Sequence, residues 1–227
     1  MTPFSSPSDK ELVRDYFNGI GFDRWRRIYG EGQVNKVQLD IRQGHQQTVD
    51  FVLDWLRRDR DVTSRTFCDA GCGTGSLSIP LAAMGATVFA SDISEQMVAE
   101  AQRRSPDPGN PTYGVNDLAN LSGSYDTIIC LDVLIHYPFD DAKVLLRHLT
   151  SLAQSRLIFS FAPKNPYYTL LKRIGEFFPG ASKATRAYLH NEFAIREVLD
   201  DLGWKVARQE MTSTQFYFSR LLEAVPK

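Results

Sequence analysis

Residues 69–75 of this chain read DAGCGTG, directly after the β-rich run Thr66–Cys68 and directly before a helical pattern. Glycines at a strand-to-helix turn let the backbone approach a ligand and leave the helix N-terminus open to it. The spacing differs from the dinucleotide pattern Gly-x-Gly-x-x-Gly, because the third glycine comes one residue early. The second predicted strand ends at Ser91-Asp92, where a carboxylate can accept hydrogen bonds from both hydroxyls of a ribose. The pattern predicts a site for an adenosine ligand without a pyrophosphate.

After residue 65 the chain alternates short β-rich runs with helical patterns. We predict strands at 66–68, 86–90, 111–115, 125–131 and 156–161, and helices at about 76–84, 94–104 and 139–153. A repeated strand–helix–strand order is typical of a doubly wound parallel sheet of the α/β class. A helix at 191–202 and two strands at 204–211 and 215–224 then predict an antiparallel hairpin at one edge.

The first sixty residues follow a different pattern from the rest. Apolar residues recur at helical spacing from Ser8 to Phe17, from Phe22 to Tyr29 and from Val34 to about Leu56. We predict an N-terminal helical arm or lid over residues 1–60 and a ligand-binding domain over 61–227. Within that domain, residues 163–190 combine aromatic and basic side chains without strand alternation. This segment fits an insertion that binds a flat apolar acceptor with carboxylates or an anionic membrane surface, and it also fits a solvated amphipathic helix.

The composition argues against several classes of protein. A formal net charge of -1 and a pI near 6.4 do not suit a surface that binds nucleic acid along its whole length, so no nucleic-acid partner is predicted. Three cysteines, with no second Cys/His pair at metal spacing, fit a reducing cytosol and predict no metal site. No secretory signal opens the chain, and no apolar run approaches the ~20 residues of a membrane-spanning helix. We expect a cytoplasmic protein or one that contacts a membrane surface peripherally.

The acidic-x-Gly-x-Gly-x-Gly motif, followed by an acidic residue that ends the second strand, resembles the class I S-adenosylmethionine-dependent methyltransferases. The resemblance covers roughly residues 60 to 225 and implies a Rossmann-like, seven-stranded, mostly parallel sheet whose last strand is antiparallel. It also implies S-adenosylmethionine as the co-substrate. The matching positions are Asp69, Gly71, Gly73 and Gly75 around the methionine, Asp92 and Ile93 at the ribose and adenine, Asn116, Asp117 and Leu118 at the adenine amino group, and Leu131 under the sulfonium.

A longer resemblance includes the arm. Two arm segments read DYFNGIGFDRWRRIYG (15–30) and VNKVQLDIRQGHQQTVDFVLDWL (34–56), and two later segments read FCDAGCGTGSLSIPLAAMGA (67–86) and LDVLIHYP (131–138). Together they resemble the magnesium-protoporphyrin IX O-methyltransferases of chlorophyll biosynthesis. The resemblance implies methyl transfer to a propionate carboxylate of magnesium protoporphyrin IX, giving the monomethyl ester. It also implies the large subunit of magnesium chelatase as a partner and peripheral contact with a photosynthetic membrane.

The implied reaction needs no strong base, because a propionate with a pKa of about 4.3 is already ionised at neutral pH. Desolvation and alignment are the remaining tasks. An arginine clamped on the reacting carboxylate would reduce its nucleophilicity, so we predict that the neutral side chains of His136 and Tyr29 orient it. Further acceptor contacts are predicted at Arg26 and Trp25 on the arm and at Tyr167 and Lys172 in the insertion.

Several alternatives stay open at this point. Plain packing also fits Tyr29 and His45, a backbone-bonded loop residue also fits His136, and a cap for the next turn also fits Asp117. A class I methyltransferase with another apolar acceptor, such as a quinone or a fatty acid, would use the same cofactor site. A nucleic-acid methyltransferase fits less well, because residues 131–134 read LDVL where amino-methylating enzymes place Asn/Asp-Pro-Pro-aromatic. A non-catalytic binding module with this fold is a further alternative.

Overall fold

The computed structural model describes residues 7–60, 62–164 and 187–227. Its N-terminal part consists of the helices α1 (Pro7–Phe17), α2 (Ile20–Ile28) and α3 (Lys36–Asp59). α3 begins with a capping box, in which Asn35 and Gln38 each accept a hydrogen bond from the backbone N–H of the other. The three predicted helices are confirmed, although α2 begins at Ile20 rather than at Phe22.

A seven-stranded sheet forms the centre of the molecule. Its strands are β1 (Thr66–Ala70), β2 (Thr87–Asp92), β3 (Thr112–Val115), β4 (Tyr125–Cys130), β5 (Ala153–Phe161), β6 (Trp204–Ser213) and β7 (Phe218–Pro226). Their order is β3-β2-β1-β4-β5-β7-β6. Neighbouring strands are parallel from β3 to β5, whereas β7 is antiparallel to both β5 and β6. The predicted mostly parallel sheet with an antiparallel last strand is confirmed.

Helices cover both faces of this sheet. They are α4 (Ser78–Ala83), α5 (Glu95–Arg104), α6 (Phe139–Leu152) and α7 (Glu192–Asp201), with short 3₁₀ turns at Leu118–Asn120 and Leu134–His136. Alternate residues of a strand point to opposite faces, and accordingly Ile128 packs in one core cluster with α6 and α7 while Ile129 packs in the other with α3 and α4. No helix of the described ranges is long and apolar enough to cross a membrane.

The second half of α3 belongs to the core of the sheet. Val49, Val52 and Leu56 are almost completely buried there, in the same cluster as Phe67 of β1. Burial of such side chains stabilises the fold by about 1.5–3 kcal/mol each. α3 therefore connects the arm rigidly to the sheet, and the proposed division at residue 60 stays a prediction.

The end of the arm helix α2 is held by two arginine side chains that bind main-chain carbonyl groups. Arg42 of α3 donates hydrogen bonds to the carbonyl oxygens of Ile28 and Arg27, at 2.6 and 2.8 Å. Arg104, the last residue of α5, donates to the carbonyl oxygen of Tyr29 at 2.7 Å and to the hydroxyl of Thr74 at 3.2 Å. Since Thr74 lies within the glycine-rich turn, Arg104 connects the arm directly to that turn.

Gly44 allows α3 to approach the chain just before β7. A Cβ atom at this position would lie 2.4 Å from Cδ1 of the Tyr217 ring, well inside van der Waals contact. Any larger residue would displace Tyr217, whose hydroxyl is 2.7 Å from the carboxylate of Asp132. The close approach at Gly44 therefore fixes the position of the Tyr217 ring.

We expect Gly44→Ala to lower the free energy of unfolding by about 1–3 kcal/mol, because overpacking outweighs the roughly 1 kcal/mol that alanine gains over glycine in a helix. Urea denaturation measures the change. Gly32→Ala is the matched control, since nothing lies within 4 Å of a Cβ at that position. An equal effect of the two substitutions would contradict the close approach.

Candidate cofactor and acceptor site

β1 pairs in parallel with β2 on one side and with β4 on the other. Crossover connections diverge at such a switch point and leave a crevice at the carboxyl ends of the strands. A cavity of about 620 Å³ lies there, within the range of small-molecule sites. Its described lining comes from the glycine-rich turn, the ends of β2 and β4, the arm and the segment before β7. The lining residues include Gly71, Gly73, Asp92, Ile93, Leu118, Leu131, Asp132, His136, Arg24, Trp25, Tyr29, His45 and Tyr217.

The glycine-rich turn has a backbone that other residues adopt only with strain. Gly71 has φ +91°, and a Cβ on it would lie 2.2 Å from the Val133 side chain. Gly73 has φ +51° and faces open space, so its main chain is accessible to a ligand. Gly75 has φ +84° and is absent from the cavity lining. A Cβ atom on it would lie 3.1 Å from the Ile79 side chain. Two of the three glycines therefore border the ligand space, and the third closes the turn.

Asp92 is the last residue of β2, where it pairs with Val115 of β3, and it lines the cavity. Its carboxylate accepts hydrogen bonds from the backbone N–H groups of Gly73 and Ser94, both at 2.9 Å. Burial raises the pKa of this carboxyl, while these backbone hydrogen bonds act to lower it. Two carboxylate oxygens offer about four acceptor positions, so lone pairs remain for ribose hydroxyls. The arrangement fits an adenosine ligand, with Ile93 beside it in the lining.

Three other predicted cofactor residues lie outside the cavity lining. Asp69 is buried, accepts a hydrogen bond from the Ser78 hydroxyl and has its pKa raised by burial to about 6. Asn116 donates from its side chain to Ser91 at 3.4 Å. Asp117 accepts from the backbone N–H of Ala119 at 2.9 Å and so caps a 3₁₀ turn, which is the alternative that its sequence position allowed. Of the group after β3, Leu118 lines the cavity.

His136 lies in the 3₁₀ turn after β4 and lines the cavity. Its Nδ1 is buried and has no hydrogen-bond partner among the described residues. Burial lowers the pKa of its imidazole to about 4, against the opposing effect of Asp132. The side chain is therefore neutral at physiological pH. The ring of Phe17 lies edge-on to it, 5.4 Å away between centroids.

Tyr29 lies between two other cavity-lining rings. Its ring centroid is 5.3 Å from Trp25 and 4.4 Å from His45. Burial, and after it the charge of Asp132, raise the pKa of the Tyr29 hydroxyl well above its usual value, so the phenol stays protonated. The Nε1 donor of Trp25 is buried without a partner among the described residues. The arm therefore brings neutral donors to the cavity.

The arginines of α2 differ in position. Arg24 lines the cavity, and its buried Nε has no hydrogen-bond partner in the described part of the chain. Arg26, the sequence-based choice for an acceptor contact, is absent from the lining, forms an ion pair with Asp23 at 3.1 Å and lies over the ring of Phe22. Helical spacing alone did not reveal which face of α2 the fold buries. We therefore move the proposed acceptor contact from Arg26 to Arg24.

A partly buried hydrogen-bond network around Asp132 was missed by the sequence analysis. The carboxylate of Asp132 accepts hydrogen bonds from His45 Nδ1 at 2.9 Å and from the Tyr217 hydroxyl at 2.7 Å. Ser160 of β5 donates to the same carboxylate at 3.0 Å. The available signal was an aspartate directly after the fourth strand, where the fold places functional residues, but its partners are distant in sequence. We call Asp132, His45, Tyr217 and Ser160 the Asp132 network.

The predicted acceptor residues Tyr167 and Lys172 lie outside the described residues. The end of the same predicted insertion is described, and it holds the turn that carries His136. His190 Nε2 lies 2.9 Å from the Leu134 carbonyl oxygen, and the backbone N–H of Tyr188 donates to the Ile135 carbonyl at 2.8 Å. No group of three or more His, Cys, Asp or Glu suited to a metal ion occurs within 7–60, 62–164 and 187–227.

Comparison with known proteins identifies the family. Residues 130–226 match the family described as magnesium-protoporphyrin IX methyltransferase C-terminus, and residues 67–155 match a general methyltransferase domain. The chain is 62% identical over 221 residues to magnesium-protoporphyrin O-methyltransferase of Synechocystis sp., covering 96% of both proteins. It is 58% identical over 223 residues to the chloroplastic magnesium protoporphyrin IX methyltransferase of Arabidopsis thaliana, covering 96% of this chain and 72% of the relative.

A solved structure agrees with the observed fold. The crystal structure of magnesium protoporphyrin IX methyltransferase from Synechocystis PCC 6803 with bound SAH superimposes with a TM-score of 0.90 at 59% identity, covering 96% of this chain and all of that chain. The similarity includes the helical arm as well as the sheet, so it extends beyond the general methyltransferase domain. The fold and the family inferred from the sequence are confirmed: the chain belongs to the magnesium-protoporphyrin O-methyltransferase family.

Proposed function

We propose that this chain transfers the methyl group of S-adenosylmethionine to a propionate carboxylate of magnesium protoporphyrin IX, giving the monomethyl ester in chlorophyll biosynthesis. The relatives that match 96% of the chain carry this activity in their names, and a related crystal structure holds SAM. One observation carries the proposal at the level of chemistry: a single cavity is lined both by Asp92 and the glycine-rich turn and by the neutral donors His136 and Tyr29. A quinone or fatty-acid acceptor is not favoured by these relatives.

The reaction joins a carboxylate anion to a methyl group carried by a sulfonium cation, so opposite charges cancel as the transition state forms. A cavity that excludes water favours this step over the separated, solvated ions. Apolar and aromatic side chains dominate the described lining on the arm side, including Phe17, Trp25 and Tyr29. Enclosure by the arm would therefore supply desolvation, and the hydrogen bonds of Arg104 to the arm would maintain it.

His136 and Tyr29 suit the reacting carboxylate because both are neutral hydrogen-bond donors. The depressed pKa of His136, about 4 through burial, keeps its imidazole uncharged. The raised pKa of Tyr29 keeps its hydroxyl protonated. A neutral donor can fix the direction of one carboxylate oxygen without cancelling the charge that makes it nucleophilic. We assign both residues to orientation of the attacking carboxylate.

Arg24 suits the second, non-reacting propionate. Its Nε is buried and unpaired among the described residues, and a buried guanidinium donor without a partner is costly unless a ligand satisfies it. A carboxylate that is not consumed in the reaction can accept a charge-assisted hydrogen bond without loss of rate. Arg24 would thus bind and orient the macrocycle, while His136 and Tyr29 act on the carboxylate that is methylated.

Contact with a photosynthetic membrane and with the large subunit of magnesium chelatase also belongs to this proposal. It is supported by the family resemblance and by the basic and aromatic composition of residues 163–190. Sedimentation with vesicles of anionic lipid measures the membrane contact, and a protein that stays in the supernatant would contradict it.

The function is tested by incubating the protein with magnesium protoporphyrin IX and S-adenosylmethionine and analysing the products by mass spectrometry. We expect a monomethyl ester and S-adenosylhomocysteine. Ubiquinone precursors and free fatty acids, offered in the same assay, should remain unmethylated. Methylation of these acceptors without any porphyrin ester would contradict the proposal.

We expect His136→Ala to lower kcat by roughly a hundredfold, because loss of one orienting contact misaligns the reacting carboxylate. Tyr29→Phe should reduce kcat as well, while calorimetry should detect unchanged binding of S-adenosylhomocysteine. Since His136 has a pKa of about 4, it should cause no inflection in kcat between about pH 6 and 8. Unchanged turnover in both variants would remove these residues as catalytic candidates.

Arg24→Ala and Arg26→Ala form a matched pair on the same helix. We expect Arg24→Ala to raise the dissociation constant of magnesium protoporphyrin IX by about tenfold or more, as loss of a charge-assisted hydrogen bond predicts. Arg26→Ala should leave it nearly unchanged, because Arg26 pairs with Asp23 outside the cavity lining. Quenching of porphyrin fluorescence measures both constants. Equal effects would mean that the arginines act only through a general electrostatic field.

A further inference from the structure

His45 of α3 lines the cavity but has no role in the methyl transfer proposed above. Its side chain is only 12% exposed, and its Nδ1 lies 2.9 Å from Oδ2 of Asp132. α3 is anchored in the core by Val49 and Val52, which follow directly along the same helix. His45 is therefore held in the site by two independent constraints, the helix and the carboxylate.

The partner of His45 decides which ring nitrogen carries the proton. Tyr217 and Ser160 also donate hydrogen bonds to the carboxylate of Asp132, at 2.7 and 3.0 Å. An ionised carboxylate only accepts hydrogen bonds, so Nδ1 of His45 must donate. In the neutral imidazole, Nε2 then carries the free lone pair.

Among the described residues, the hydrogen bond of the His45 ring is the one from Nδ1 to Asp132, and Nε2 makes none. The two nitrogens of an imidazole point in widely different directions, so the bond to Asp132 leaves Nε2 directed away from that carboxylate. A histidine that donates one N–H to a carboxylate and presents the other nitrogen as a lone pair is the usual arrangement of a metal-binding histidine.

We propose that Nε2 of His45 is an axial ligand of the magnesium ion carried by the porphyrin acceptor, with Asp132 and Tyr217 as positioning residues. This inference rests on the proposed function. The macrocycle supplies four nitrogen ligands in its plane and leaves an axial position that a protein side chain can fill, as histidine does for porphyrin iron. Since the attacking group in the proposed reaction is a propionate carboxylate, the contact with magnesium would serve recognition of the acceptor.

The other cavity residues suit this task less well. Arg24 and Trp25 present N–H donors to the cavity, not lone pairs. His136 is neutral, but no carboxylate fixes its tautomer: its Nδ1 has no partner among the described residues. Contact between the rings of His45 and Tyr29, 4.4 Å between centroids, brings the proposed metal ligand next to a proposed carboxylate contact. A metal-bearing porphyrin with a propionate could engage both side chains together.

The inference predicts discrimination between metal-bearing and metal-free porphyrin. The probes are magnesium protoporphyrin IX and metal-free protoporphyrin IX, with dissociation constants measured by fluorescence quenching. The key variant is His45→Asn, because the asparagine amide can still donate to Asp132 in place of Nδ1 but lacks any group in place of Nε2. We expect this variant to bind magnesium protoporphyrin IX about tenfold or more weakly, with unchanged affinity for the metal-free porphyrin. The Soret band of the bound magnesium porphyrin should shift as the axial ligand is lost.

His136→Ala is the matched control, since it removes another histidine from the same cavity. It should lower turnover but keep the preference for the magnesium porphyrin and the position of the Soret band. S-adenosylhomocysteine binding, measured by calorimetry, should be normal in both variants. If His136→Ala removes the preference and His45→Asn does not, the assignment to His45 is overturned.

A second variant covers the case that His45→Asn fails to fold. His45→Gly leaves space for free imidazole, which should restore both the preference and the Soret band when added. Absence of restoration, in a variant that binds S-adenosylhomocysteine and metal-free porphyrin normally, would count against the inference. If the wild-type protein makes the ester but shows no preference for the magnesium porphyrin, only this inference fails. If the wild-type protein forms no ester, both the proposed function and this inference fail.

Discussion

The parallel pairing of β1 with both β2 and β4 is the constraint on which the site depends. It forces the carboxyl ends of three strands to lie side by side, and each strand is followed there by a functional segment. β1 leads into the glycine-rich turn, β2 ends at Asp92, and β4 is followed by Asp132 and the turn that bears His136. Residues far apart in the chain therefore line one cavity.

Two partly buried carboxylates stabilise this arrangement in different ways. Asp92 uses backbone N–H groups, from Gly73 and Ser94, so the turn and the carboxylate position each other locally. Asp132 uses side chains from three separate elements, α3, β5 and the segment before β7. A buried charge is costly without such partners. Removal of any one partner would therefore also change the hydrogen bonds that the remaining partners make to the carboxylate. The Asp132 network thus joins the arm helix α3 to β5 and to the segment before β7.

The acceptor side of the cavity separates neutral donors from cationic ones. His136 and Tyr29 are kept neutral by burial, whereas the guanidinium of Arg24 presents a donor without a partner among the described residues. This division suits a substrate with two carboxylates of which only one reacts, because a cation would stabilise the nucleophile that has to be consumed. His45, fixed by Asp132, adds a lone-pair donor to the same space. Shape, charge and a metal contact would together recognise one acceptor.

Local sequence patterns were sufficient to predict the sheet, its antiparallel hairpin, the glycine-rich turn and Asp92, since each depends on neighbours within a few residues or on the regular order of strands and helices. The position of Arg24 rather than Arg26 was not predictable in this way, because it depends on which face of α2 meets the sheet domain. The same holds for Asp69 and Asp117, which bind Ser78 and Ala119 outside the lining. The Asp132 network joins His45 and Tyr217, residues whose sequence separation no helical or strand period can encode. Only folding brings these groups together, because hydrogen bonds between distant segments follow from packing of the whole chain.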